Sequence, residues 1–170
     1  MKVSTLILWI FAAVLSIEVG AGLYETLVII PMWMGGAPES VIKYYELYAA
    51  NPQFALRAGP KFWMFLTPSV GIFALATFLT GFKTSPQHRK WRLIGSGLSV
   101  FVVAATFAWF VPNIMRLTFD VPTMSPAEIA TTAKWWANLN YIRCILAVIA
   151  MLCTFRALSV SNHTKPSDIG

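Results

Sequence analysis

The chain has 170 residues and a net charge of +6; 57% of it is hydrophobic and only 12% charged, where soluble globular chains carry roughly 25% charged residues. Its mean hydropathy is +0.65. These figures exclude a disordered chain, a disulfide scaffold and an ordinary soluble enzyme, and an apolar surplus of this size needs lipid as its solvent.

A transmembrane helix needs about 20 mostly apolar residues. Four stretches qualify: 3–30, 62–82, 93–115 and 135–158. The first resembles a signal peptide at its start, with Lys2 ahead of the apolar run and Val19-Gly20-Ala21 as a small-residue site. The run continues to Ile30, however, and Glu18 sits beside that site, so a retained helix is expected. The fold class follows: an all-α, single-domain, four-helix transmembrane bundle over residues 1–160, with a flexible tail over 161–170.

Helix ends are marked along the chain. Gly59-Pro60 precedes the second helix and Ser85-Pro86 starts the third helix, ahead of its apolar span. Ser125-Pro126-Ala127-Glu128 is a capping box with Pro at the first helical position. The fourth helix is predicted to run from about Pro126 to Leu158, about 50 Å, and so to tilt or project beyond the roughly 30 Å core. In the outer loop, residues 38–50 contain helix formers and Tyr44, Tyr45 and Tyr48; a short helix near the outer surface is expected. Asn51-Pro52 is expected to open a further turn ending at Gly59. Pro68 and Pro112 should bend their helices, and Ser16, Gly20, Gly71, Gly95, Ser99, Ala104 and Ala108 allow close helix approach.

The loop between the second and third spans holds Lys83, Arg89, Lys90 and Arg92 and no acid. With Lys2, Arg156 and Lys165, seven Lys/Arg lie on the side of the termini, against Asp168. The other side has five, Lys43, Arg57, Lys61, Arg116 and Lys134, offset by Glu39, Glu46, Asp120 and Glu128. By the positive-inside rule both termini are expected in the cytoplasm, with the chain in the cell membrane. The basic loop reads as an orientation signal and not as a nucleic-acid site.

Three ionisable residues lie inside apolar spans: Glu18, Glu25 and Arg143. A charge near the bilayer centre costs at least about 2.5–3.5 kcal/mol on insertion scales, so such residues face the interior and have partners. Glu18, Gly22, Glu25 and Ile29 form one helical stripe, and Trp136, Asn140, Arg143 and Ala147 repeat its spacing on the last span. Counting about 1.5 Å per residue from the outer ends, Glu25 lies about 8 Å deep, Arg143 about 12 Å and Glu18 about 18 Å. A Glu–Arg–Glu cluster with Asn140 beside it is therefore expected. Trp109, Asn113 and Thr106 from the third span and Trp63 and Thr67 from the second would surround it. A buried pair that only fixes helix register is the plainer alternative. Two acids facing one arginine, however, leave a carboxyl free for acid–base chemistry, and the deeper Glu18 is its candidate.

Other chemistries find no support. His88 is in the basic loop and His163 in the tail, so no histidine pair serves haem or copper. Cys144 and Cys153 lack metal-ligand spacing; about 13 Å apart along a helix, they are also beyond the roughly 7 Å reach of a disulfide. No phosphate-binding glycine loop is present. No metal and no cofactor are expected.

Several segments carry a family resemblance. Gly22-Leu23-Tyr24-Glu25-Thr26-Leu27-Val28-Ile29-Ile30-Pro31-Met32-Trp33, Phe62-Trp63, Val111-Pro112-Asn113-Ile114 and, most of all, Ala133-Lys134-Trp135-Trp136-Ala137-Asn138-Leu139-Asn140-Tyr141-Ile142-Arg143 are similar to the anthrone-oxygenase-like family of small four-span membrane proteins. The resemblance implies a four-helix bundle and, for some members, cofactor-free oxidation of anthrones to anthraquinones. Many members carry His where this chain has Asn140, a departure that bears on activity and not on fold.

The leading expectation is an enzyme or binder for a small apolar or aromatic molecule entering from the outer half of the bilayer. Glu18 or Glu25 would act as base and Arg143 would stabilise an oxyanion. Asn113 and Asn140 would orient the ligand, with Trp63, Thr67, Trp109 and Trp136 lining it. The alternative is a non-enzymatic scaffold or complex subunit contacting a partner through Trp33, Tyr44, Tyr45 and Tyr48. A transporter fits least, since no half-chain repeat is visible. Expected partners are membrane lipids and a small ligand, with a homo-oligomer open and nucleic acid excluded.

Overall fold

Leu, Ile, Val, Ala and Phe runs without turn residues can satisfy their backbone in lipid only as helices, and the described structure is helical with no strand. It is a computed structural model describing residues 2–49 and 58–161. The expected turn at Asn51-Pro52 and the tail beyond Ser161 lie outside the described residues.

The first rod is α1 (Val3–Tyr24), a π-helical turn π1 (Glu25–Ile29) and α2 (Ile30–Met34). The loop between the first two rods follows as α3 (Glu39–Tyr44) and a second π turn, π2 (Tyr45–Ala49). The second rod is α4 (Ala58–Gly81), with Pro68 inside it. The third is α5 (Pro86–Ala105), π3 (Thr106–Phe110) and α6 (Val111–Phe119). The fourth is α7 (Pro126–Ser161). Four stretches, Val3–Met34, Lys61–Gly81, Pro86–Phe119 and Pro126–Val160, are long and apolar enough to cross a membrane.

Consecutive rods run antiparallel, and contacts join α1 to α4, α4 to α5, α5 to α7 and α7 back to α1. The outside is apolar, unlike that of a soluble bundle: Phe65, Ile72, Phe101, Ile145 and Leu152 are more than half exposed. Glycine and hydroxyl residues line much of the inside. A Cβ on Gly95 would stand 2.7 Å from Thr154 Oγ1 and 2.9 Å from the Ala150 carbonyl, so α5 and α7 touch there through the bare glycine. Gly71 similarly meets Val103. Not every small residue packs in this way. Gly20, Ala104 and Ala108 are exposed, with nothing within 4 Å of a Cβ at Gly20.

Two π turns have a common cause. Each ends one residue before an Ile-Pro or Val-Pro pair, where proline removes a donor and its ring presses on the carbonyl four residues back. Widening the turn relieves that contact, and the Ile30 N–H bonds to the Glu25 carbonyl and the Val111 N–H to the Thr106 carbonyl. A π turn inserts one extra residue and is often found at functional sites.

The capping box forms as the spacing requires. Ser125 N–H and Oγ bond Glu128 Oε2 at 2.9 Å, and the Glu128 N–H returns a bond to Ser125 Oγ at 3.3 Å. Ser85 precedes Pro86 at the start of α5 but makes no side-chain cap bond. Gly59 and Pro60 lie within the first turn of α4, not before it, because that helix begins at Ala58.

Apolar side chains divide into two clusters. The inner one joins Leu8, Phe11, Leu15, Val19, Val70, Ala74, Ala147 and Ala150. The outer one joins Ile30, Met34, Val41, Phe110, Leu117, Ile129 and Trp136, with Tyr45 packed against it. The loop helix thus folds onto the rods and does not simply rest on the surface, and Tyr44 stacks on Trp33 with ring centroids 4.8 Å apart.

Candidate functional site

Between the two apolar clusters lies a polar layer, built at the level of π1 and π3. The buried line of the first rod runs Leu15, Val19, Gly22, Thr26, Ile30 and Met34. The expected stripe Glu18–Gly22–Glu25–Ile29 runs along the edge of this line and shares only Gly22 with it; π1 adds its extra residue beyond Thr26, where the buried positions become Ile30 and Met34. Glu18 and Glu25 therefore flank the helix face and reach sideways toward neighbouring rods.

Arg143 on α7 meets them. Its Nη2 lies 3.8 Å from Glu25 Oε2, with the side chains 15% and 25% exposed respectively. The guanidinium carbon sits 4.9 Å from the Phe110 ring centroid and 5.9 Å from that of Trp63. Aromatic faces hold a cation in surroundings where water is scarce. Trp136 Nε1 donates to the Phe110 carbonyl at 3.0 Å, which fixes π3 against α7.

All four rods contribute to one cleft, lined by Glu18, Val19 and Gly22 of α1, Trp63 of α4, Val102 of α5, and Arg143, Cys144 and Ala147 of α7. Glu18 shares this cleft with Arg143 without an ion-pair contact; the Arg143–Glu25 pair is the one seen there among the described residues. The enclosed volume is about 20 Å³, within about 300 Å³ of free space that includes the open mouth. The enclosed part has room for about one water. Beside it, Thr26 Oγ1 and Cys144 Sγ are hydrogen-bonded at 3.2 Å.

The expected lining is only partly assembled. Glu18, Trp63 and Arg143 line the cleft, Glu25 pairs with Arg143, and Trp136 acts from behind through Phe110. Asn113 instead donates to the Trp109 carbonyl of its own helix at 2.8 Å, and Thr106 to the Val102 carbonyl at 2.8 Å. Trp109 packs edge-on against Phe110 in the outer cluster. Thr67 is buried but does not line the cleft. Asn140 is fully buried, and neither its Nδ2 nor its Oδ1 has a partner among the described residues. No group of three or more His, Cys, Asp or Glu among the described residues is placed to hold a metal ion.

Sequence reasoning overlooked several participants. Phe110 and Val102 look like ordinary core residues, and Cys144 reads as a spare thiol. The Pro31 and Pro112 spacing is the signal that would have placed π turns beside Glu25 and Phe110. Arg92 reads in the sequence as a loop charge, yet it is only 4% exposed. Its Nη2 donates to the Ser4 carbonyl at 3.1 Å and to Thr80 Oγ1 at 3.0 Å, joining three rods at the end opposite the cluster.

No family model, curated protein or solved structure matches the chain.

Proposed function

We propose that the chain is a membrane enzyme, or enzyme-like binder, for a small apolar or aromatic molecule with an acidic hydroxyl or C–H group. The observation that carries this reading is the cleft itself. An unpaired carboxyl, Glu18, faces the same space as a guanidinium, Arg143, walled by Trp63. Glu18 takes a proton from the ligand, and Arg143 stabilises the oxyanion that remains, as a donor aimed at developing charge does in a dry site. Glu25 and Trp63 hold the guanidinium in place. In an oxygenase-like reaction the electron-rich anion reacts with dioxygen, which requires no cofactor; the resemblance of the Trp135-to-Arg143 segment supports that version.

Ligand pockets of drug-sized molecules hold about 300–1,000 Å³, so a ring enters only by displacing the Trp63 side chain or by using the open mouth. Purified protein in lipid bilayer discs, supplied with anthrone under air, tests the reading. Oxygen uptake and quinone absorbance should appear with the wild type and vanish in Glu18→Gln and in Arg143→Gln at unchanged helicity. Turnover that survives both substitutions rejects the site.

The small enclosed volume favours a second reading, in which the Arg143–Glu25 pair sets the register of α7 against the first rod and the protein is a scaffold. It predicts one stoichiometric protein partner in a detergent pull-down, lost on substitution of Trp33 or Tyr44. On either reading the localisation proposed from the charge asymmetry is a cell membrane, with both termini on the cytoplasmic side.

A further inference from the structure

The two ends of the bundle differ in charge. At the end that carries the start of α1, the turn from α4 to α5 and the end of α7, the described residues supply Lys2, Lys83, Arg89, Lys90, Arg92 and Arg156 and no Asp or Glu. At the other end, Lys43, Lys61, Arg116 and Lys134 are matched in number by Glu39, Glu46, Asp120 and Glu128. Lys2, Lys83, Arg89, Lys90 and Arg156 are all exposed.

The sixth cation is held differently. Arg92 is buried, and its Nη2 is bound to two neutral oxygens, the Ser4 carbonyl and Thr80 Oγ1. Its Nε has no partner among the described residues. A guanidinium without a carboxylate, behind a rim of exposed cations, raises the positive potential of this end. Lys90 Nζ lies 5.6 Å from the Trp91 ring centroid, and Trp91 packs against the inner cluster. An aromatic ring and a lysine together mark the level where acyl chains give way to headgroups.

We infer that this end is a docking surface for anionic phospholipid, with headgroup phosphates among Lys83, Arg89 and Lys90 and acyl chains along the exposed apolar side chains. Charge complementarity selects this occupant, since juxtamembrane basic segments are drawn to acidic lipid surfaces. The exposed cations supply the contacts, and Arg92 acts from behind them as a fixed positive charge.

The probe is phosphatidylglycerol titrated onto the detergent-solubilised full chain, with bound lipid counted by native mass spectrometry. Phosphatidylcholine and inorganic phosphate serve as the comparison arms. Each basic residue near such a surface contributes roughly fivefold, so Lys83→Gln/Arg89→Gln/Lys90→Gln should weaken phosphatidylglycerol binding by about a hundredfold. Lys43→Gln/Lys61→Gln/Lys134→Gln, at the other end, should leave it unchanged. All six positions are exposed, and unchanged thermal unfolding verifies that each variant is folded. Equal binding of the two lipids, a preference that survives the first triple substitution, or displacement of phosphatidylglycerol by equimolar inorganic phosphate would overturn the inference.

Discussion

Glu18 and Glu25 are chemically identical and lie on one rod, yet their positions predict opposite consequences of the same substitution. Glu25 Oε2 is 3.8 Å from Arg143 Nη2. Unit charges at about 4 Å attract by about 4 kcal/mol at an effective dielectric constant near 20. Desolvation of both groups and their partial exposure offset much of that attraction. Glu25→Gln is therefore expected to lower unfolding free energy by about 1–2 kcal/mol, because the guanidinium loses its near counter-charge but keeps two aromatic faces. Glu18 makes no such contact, and Glu18→Gln should change stability by less than about 0.5 kcal/mol. Reversible unfolding in mixed detergent micelles at neutral pH measures both, with anthrone turnover followed in the same preparations. The expected combination is a weakened Glu25→Gln and a fully stable, inactive Glu18→Gln. An equal loss of stability in the two variants, or a loss in Glu18→Gln alone, refutes the division of labour.

Other outcomes follow from packing. Gly95→Ala places a methyl 2.7 Å from Thr154 Oγ1 and 2.9 Å from a backbone carbonyl, and overpacking of this kind should cost about 1–3 kcal/mol. Adding Thr154→Ala should restore only part, since the carbonyl remains. Gly20→Ala meets nothing within 4 Å and should be neutral or stabilising by up to about 1 kcal/mol through helix propensity; the same unfolding assay checks all three. Asn140→Leu replaces a buried amide that lacks partners among the described residues, so it should raise stability by about 1–2 kcal/mol, again read by unfolding. Ser125→Ala removes the cap of α7 and should cost about 1 kcal/mol, seen as faster amide exchange confined to the first turn after Pro126.

Much of the architecture is legible in the sequence because lipid leaves few choices. Apolar run length, the Ser125–Glu128 box and Pro86 mark the rods, and the pairing of a first-rod acid with Arg143 follows from depth and stripe. What escapes is azimuth. A strict helical period carried through Glu25 points Ile29 inward, whereas Thr26 is the inward residue by ordinary spacing from Gly22 and the π turn carries the line on to Ile30. Helical hydroxyls and amides also bond to their own backbone more readily than a list of polar residues suggests. Asn113 and Thr106 are spent in this way. Arg92 escapes for a different reason. Its place three residues after Arg89 looks like loop, and only the approach of α1 and α4 buries it.

The paired π turns have one more consequence. An α-helix advances about 100° per residue, so each extra residue dials everything beyond it around the rod axis by that angle. The outer cap of Ile30, Met34 and Leu117, which Val121 joins beyond α6, is thus keyed to the inner bundle by two one-residue insertions at the same storey. Deleting a residue from either turn would leave that rod's membrane segment intact but swing its part of the cap away from Trp136. The polar layer would then stand unroofed, while hydropathy along the chain barely changed.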